Sequence, residues 1–326
     1  MEPDFKMFTP DETTISIKPS GMICCVTDGQ RTVFAQSSSD GPNLKLTACV
    51  LPTPCPHENH GVSDRSSPQQ VLSAFRGTRA SSTIPMEWCE IQRVSIQGPM
   101  SSSTHAHLHS LFANQMSWTE SLFKSSFLEL SAKRSGSPLI GFGVLDSTIQ
   151  SSPRQIVLAG LTTAHLDIEE FACIRGLHVH NILGGNVDSS LFVRTSKNHI
   201  LLAMISPNCE LLMLRKVPYD SDPATSPTNS VVSKVVHEIE LLLISAGQQS
   251  LLHNCRLTAY ISSSNTDACG ASRDVIDRIS IPGFSIDEIQ LNHPWCTQLI
   301  VDHNLDPYHA LVMLGLLHTD HLEVAS

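Results

Sequence analysis

Hydrophobic and polar positions are most regular in the second half of the chain. Residues 200–205 and 211–217 are apolar runs separated by Ser206-Pro207-Asn208-Cys209-Glu210, which predicts a β-hairpin. Val231, Val232, Val235, Val236, Ile239, Leu242 and Leu243 then recur at helical spacing, and one apolar stripe of that kind predicts a helix. Gly247 is expected to close it as a left-handed cap. Cys255, Leu257, Ala259 and Ile261 alternate with Arg256, Thr258, Tyr260 and Ser262, the period of a strand. A shorter amphipathic segment follows, with Ala268, Ala271, Val275, Ile276 and Ile279 on one side. The apolar runs 298–301 and 310–317 flank a turn at Asp306-Pro307 and are expected as closing strands. The order β-β-α-β-α-β-β predicts an α+β layer, with helices on one face of a mixed sheet.

A fainter copy of this order lies upstream. Residues 105–115 can form a helix, Ser117-Trp118 breaks it, and 124–132 can be a strand. The runs 155–161 and 168–174 would match the closing pair. Internal duplication is therefore expected: a first, degenerate unit over 1–182 and a second over 183–326. Residues 59–83 read as a Ser/Pro-rich insert, and 219–229 as a second long loop.

Composition narrows the function classes. The chain has 326 residues, 41% hydrophobic and 16% charged, which is globular. A net charge of −10 with no basic stretch excludes a general nucleic-acid grip. No apolar run approaches the roughly 20 residues a membrane span needs, and residues 1–6 (MEPDFK) do not open a signal peptide. Ten cysteines without a CxxC pair read as reduced, buried thiols of a cytoplasmic protein.

Candidate chemistry is sparse. His105, His107 and His109 would converge on a strand, whereas on a helix only His105 and His109 share a face. They have no acidic or thiol companion, so solvated histidines are the favoured reading. His178 and His180 form an HxH pair with no further ligands at a suitable spacing. His303, His309, His318 and His321 gather near Asp302, Asp306 and Asp320, but a strand-turn-strand would scatter them. No GxSxG supports serine catalysis, and no Walker loop is present. Trp118 and Trp295 read as core or contact aromatics. No metal or tightly held cofactor is expected.

The unit Glu238-Ile239-Glu240-Leu241-Leu242-Leu243-Ile244-Ser245-Ala246-Gly247, followed by Cys255-Arg256-Leu257-Thr258-Ala259-Tyr260-Ile261, resembles the RidA/YjgF family. So do Pro294-Trp295-Cys296-Thr297 and Leu305-Asp306-Pro307-Tyr308-His309-Ala310-Leu311-Val312. Two such units joined by Gly176-Leu177-His178-Val179-His180-Asn181 look like the tandem C-terminal region of eukaryotic diphthine–ammonia ligase. The resemblance implies two tandem RidA/YjgF-like (chorismate mutase-like) units. It also implies a non-ATPase part that supports ATP-dependent amidation of diphthine on translation elongation factor 2, with that factor as partner. ATP is implied for the full-length ligase only, since the phosphate-holding loop is absent here, and whether this chain is itself an enzyme stays open. The alternatives are a RidA-type enamine or imine deaminase and a non-catalytic protein-interaction module, either able to form homo-oligomers. Arg256, Tyr260, Cys296 and Thr297 are the candidate cleft-lining residues. Cys296 stands where the resemblance implies a carboxylate-anchoring arginine, and Met313 where an acidic residue is usual. A neutral thiol cannot replace a bidentate guanidinium, so an intact deaminase site is not expected.

Overall fold

The computed structural model describes residues 22–27, 31–40, 43–52, 73, 75–95, 102–129, 138–151, 154–183, 185–186, 188–196, 199–207, 210–218, 227–248, 256–263, 272–279 and 281–318. The chain builds β1 (Ile23–Thr27), β2 (Arg31–Asp40), β3 (Asn43–Pro52), β4 (Arg79–Ile84) and β5 (Glu90–Ser95). It continues with α1 (Ser102–Met116), β6 (Phe123–Glu129), β7 (Pro138–Leu145), α2 (Asp146–Ser151), α3 (Arg154–Leu158), β8 (Thr162–Ile168) and α4 (Glu169–Leu183). The second half contains β9 (Ser189–Thr195), β10 (His199–Ile205), β11 (Leu211–Pro218), α5 (Pro227–Gln248) and β12 (Arg256–Ser263). It closes with α6 (Ser272–Arg278), β13 (Ser285–Glu288), α7 (Pro294–His303) and α8 (Pro307–Leu317).

Two five-stranded sheets share one topology. The first has the order β3-β2-β1-β4-β8 and the second β11-β10-β9-β12-β13. In each, the first three strands form an antiparallel meander and the last two run parallel to the first. A three-stranded antiparallel sheet, β5-β7-β6, is inserted between β4 and β8. α1 leans on it: Phe112 and Phe123 are fully buried together with Ala113. A Cβ on Gly143 would fall 2.4 Å from the Phe112 ring, so the ring lies directly on the glycine backbone.

The largest apolar cluster joins the two five-stranded sheets through α4 and α8. These helices cross at two glycines. A Cβ on Gly176 would lie 2.0 Å from the Leu311 carbonyl oxygen, and one on Gly315 1.8 Å from that of Ala172. Only backbone against backbone fits at that crossing.

This architecture replaces the expected tandem RidA/YjgF-like, chorismate mutase-like layer. The closing segments, expected as strands, are helices. His293 Nδ1 accepts the Trp295 amide at 3.2 Å and Pro294 follows the cap, starting α7. Asp306 Oδ1 accepts the Tyr308 amide at 2.7 Å and Pro307 starts α8 in the same way. Proline at the first helical position has no amide to leave unsatisfied, so a polar residue followed by Pro is a helix start here. The expected strand at 155–161 carries α3, and that at 168–174 enters α4. The join at 176–181, taken as a linking segment, is the interior of α4.

Part of the expected insert is a central strand. Residues 79–83 belong to β4, between β1 and β8, while 59–72 lie outside the described residues. The hairpin β10–β11, the apolar stripe of α5 and the alternation of β12 stand where the pattern places them. α5 runs through Gly247 to Gln248, so that glycine does not end it as a left-handed cap. No helix among the described residues is long and apolar enough to cross a membrane.

Candidate functional site

A cleft of about 500 Å³ separates the inserted sheet from the second five-stranded sheet. One wall is the 3-10 turn Met86–Trp88 with the start of β5, and the other is β11 with the start of β10. The turn forms because Pro85 sets an extended entry, after which the amides of Trp88 and Cys89 reach back to the carbonyls of Pro85 and Met86, each at 3.0 Å. Met86 is fully buried and anchors the turn. Ile91, Ile140 and Leu214 contribute apolar surface to the cleft, while Glu87, Glu90, Arg215, Lys216 and His199 contribute polar surface.

Two side chains hold the turn in place, and one of them bridges the two walls. The Met86 amide donates to Glu170 Oε2 at 2.8 Å, which ties the turn to the first residues of α4. Lys216 Nζ donates to the carbonyls of Met86 (3.3 Å) and Cys89 (3.2 Å), which ties it to β11. Arg215 turns away and pairs with Glu238 of α5 at 2.9 Å. Behind the cleft, the Arg194 guanidinium sits 3.6 Å over the Tyr308 ring and donates to Ser262 Oγ at 2.7 Å. This is a buried cation–π pair between β9 and α8.

Burial sets the protonation of these groups. Glu170 is pushed up to about 8, first by burial and then by the neighbouring Glu169 charge. Arg194 is lowered by burial but raised overall by Tyr308, Glu169 and Glu170. His199 is pushed down to about 4 by burial, then by the charges of Lys216 and Arg194, so near pH 7 it is a neutral ring. Ser196 Oγ lies 2.6 Å from its Nδ1 and bridges the β9–β10 turn. Cys89, next to the turn, is pushed up to about 12, mainly by burial, and is a poor nucleophile.

The candidate residues from the sequence lie elsewhere. Arg256 opens β12 in an exposed ion-pair group with Asp188 (3.3 Å) and Asp287 (3.2 Å). Tyr260, two pleats along the same face of β12, stacks on Phe192 with ring centroids 6.3 Å apart. Cys296 is buried in α7, with its thiol pushed up to about 12 by burial, and Thr297 is exposed on the same helix. Tyr260 and Cys296 meet the same apolar cluster, but Arg256 and Thr297 do not join them. Met313, expected on a closing strand, is a fully buried residue of α8.

The histidine groups are likewise dispersed. His109 stacks on Phe123 and meets Ser125 Oγ at 2.6 Å. His180 Nε2 meets the Gln290 carbonyl at 2.9 Å, and His178 is pushed down to about 4 by burial. His318 packs beside Trp295, while His321 lies outside the described residues. No group of three or more metal-ligating side chains occurs among the described residues. The signal for the cleft was weak in sequence: Glu87, Glu90, Arg215 and Lys216 are far apart in the chain and form no motif.

No protein-family profile matches the sequence, and no curated protein matches it. A solved structure does share its fold. A chain of a PilM-PilN type IV pilus biogenesis complex superposes with a TM-score of 0.61 at 13% identity, over 91% of this chain and 98% of that one. The overlap is looser with a Bacteroides thetaiotaomicron protein described as having an actin-like ATPase fold and unknown function. Its TM-score is 0.45 at 11% identity, over 91% of this chain and 96% of that one. It is looser again with a ROK hexokinase of Thermus thermophilus, at a TM-score of 0.38 and 11% identity, over 93% and 99%. None of these is a RidA-like protein or a diphthine–ammonia ligase, so the assignments to diphthamide synthesis and to imine deamination are withdrawn with the fold that implied them. Two sheets of one repeated topology, joined by crossing helices, are the fold this chain shares with the chain of the PilM-PilN complex.

Proposed function

We propose that this chain is a protein-holding scaffold built on this fold, working in the cytoplasm as one component of a larger assembly. The observation that carries the reading is its similarity, along nearly the whole of both chains, to a protein solved within a PilM-PilN type IV pilus biogenesis complex. The open cleft between the inserted sheet and the second five-stranded sheet supplies a place for a partner. The cytoplasmic placement is supported by the thiols: Cys24, Cys25, Cys49, Cys89, Cys173 and Cys296 are all free.

The test is cross-linking in the cells the chain comes from, followed by mass spectrometry, with nucleotide turnover measured on the purified protein. The scaffold reading expects one partner cross-linked at fixed stoichiometry and no sustained hydrolysis of Mg²⁺-ATP. Steady hydrolysis with no fixed partner would replace it with an enzymatic role.

A further inference from the structure

From the packing of α1 on β6 we infer that Ser125 is a nucleophilic hydroxyl, primed by His109 to take a small acyl group from an activated ester or thioester. Neither residue lines the cleft, and the site does not depend on the scaffold reading.

The partners of the imidazole decide where its proton sits. His109 Nε2 lies 3.1 Å from the Glu120 carbonyl oxygen, and Nδ1 lies 2.6 Å from Ser125 Oγ. A carbonyl oxygen can only accept, so in the neutral ring Nε2 carries the hydrogen and Nδ1 keeps its lone pair. Ser125 is therefore the donor, with its proton directed at Nδ1 and the lone pairs of Oγ left for an incoming electrophile. A hydroxyl bonded to a base, with the base oriented by a third group, is the arrangement that activates a weak nucleophile.

Local packing holds the ring in that orientation. His109 comes from α1, Ser125 from β6, and Glu120 from the 3-10 turn Glu120–Leu122 between them. The imidazole stacks on Phe123, with ring centroids 4.2 Å apart and planes 9° from parallel. Ser110 Oγ donates to Glu120 Oε1 at 2.6 Å, which ties the turn to the helix. One turn back along α1, His105 meets Phe127 edge-on at 5.2 Å. Phe123, Ser125 and Phe127 alternate along β6 and so share the face that α1 covers. The two histidines that helical spacing puts on one face thus lie over the strand that carries the serine.

Access sets the substrate class. Ser125 and His109 are half-buried, and β6 is an outer strand of the inserted sheet. With an aromatic ring two residues away on either side and α1 above, the hydroxyl is open to a compact acyl group rather than a long chain. In the step, Oγ bonds to the acyl carbon, its proton passes to Nδ1, and the bond to the leaving group breaks. The leaving oxyanion or thiolate takes that proton, which returns His109 to its starting form. The products are one acyl-serine and one free alcohol or thiol.

The experiment treats the full chain with p-nitrophenyl acetate or p-nitrophenyl octanoate and follows acylation of each serine by peptide mass spectrometry. Ser126, the next residue on β6 and also half-buried, points to the opposite face and serves as internal control. Ser125 should take up acetyl about tenfold or more faster than Ser126, and about tenfold or more faster than it takes up octanoyl. His109→Phe keeps a ring on Phe123 but has no base. It should slow Ser125 by about tenfold or more while keeping the parent's circular dichroism. Equal rates at Ser125 and Ser126 in the parent protein would overturn the inference whatever the variant does. So would an undiminished Ser125 rate in folded His109→Phe, which would leave the 2.6 Å bond a purely structural one. Faster transfer of octanoyl would overturn the assignment of a small acyl donor.

Discussion

Glu170 is an acid where the fold has left little room for a charge. In the unfolded chain a glutamate gives up its proton near 4.5, whereas here it holds it until about 8. Between those values the folded chain binds the extra proton, so stability falls as pH rises through that window. His178, His199 and His293 act in the opposite sense. Burial pushes each down to about 4 from 6.5, so the unfolded chain takes up more protons there and stability falls as pH drops from 6.5 toward 4. Of these four groups only Glu170 changes charge appreciably between about pH 7.5 and 8.5, where the unfolded histidines are already almost neutral. Urea midpoints should therefore decline across that interval in the parent protein and stay level in Glu170→Gln, whose side-chain oxygen still accepts the Met86 amide. A decline of equal slope in the variant would show that another group titrates there. On the acid side, both proteins should lose stability together below pH 6.5.

The elements show what the sequence could and could not declare. α5 was legible because its partner is one sheet face: Val232, Val235, Ile239, Leu242 and Leu243 are buried, while the opposite side meets solvent. β12 was legible as a half-buried strand for a similar reason, with Leu257, Ala259 and Ile261 buried and Arg256 exposed. α8 was not. Every described residue from Ala310 to Leu317 is buried, so the helix is apolar all round and its run has no period to distinguish it from a buried strand. What identifies it is local: Asp306 capping and Pro307 behind it, a signature that also reads as a turn. β1 was missed because it is short and buried on both faces, with Cys24 and Cys25 where a strand more often has valine or isoleucine. The cleft was invisible for a different reason, since it is lined by segments remote in sequence, residues 87–91 and Ile140 on one side and His199 and 214–218 on the other. If the Asp306 cap determines the start of α8, Asp306→Ala should cost about 0.5–2 kcal/mol and Asp306→Asn much less. Chemical denaturation of the two variants measures this, and equal losses would argue against capping.

At the scale of the molecule, the two five-stranded sheets communicate through α4 and α8. Their crossing leaves no volume for a side chain at Gly176 or Gly315, because the nearest obstacles are carbonyl oxygens rather than mobile side-chain ends. Gly176→Val and Gly315→Val should each destabilise by about 1–3 kcal/mol or more, with the pair well short of additive, since either one already forces the helices apart. Thermal unfolding of the two single variants and the double variant is the measure, and full additivity would mean that the glycines act independently. The same helix α4 carries Glu170, which accepts the Met86 amide, so the crossing and the turn beside the cleft share one element.

The order in which a ribosome delivers these helices adds one more consequence. α4 leaves the exit tunnel with its Gly176 face bare, and α8 starts 124 positions after α4 ends, from Leu183 to Pro307. At roughly 5–20 residues per second that interval is on the order of ten seconds. Throughout it the nascent first half displays the apolar seam that α8 will cover, so this is a chain whose early half waits on its late one and invites a chaperone in the meantime.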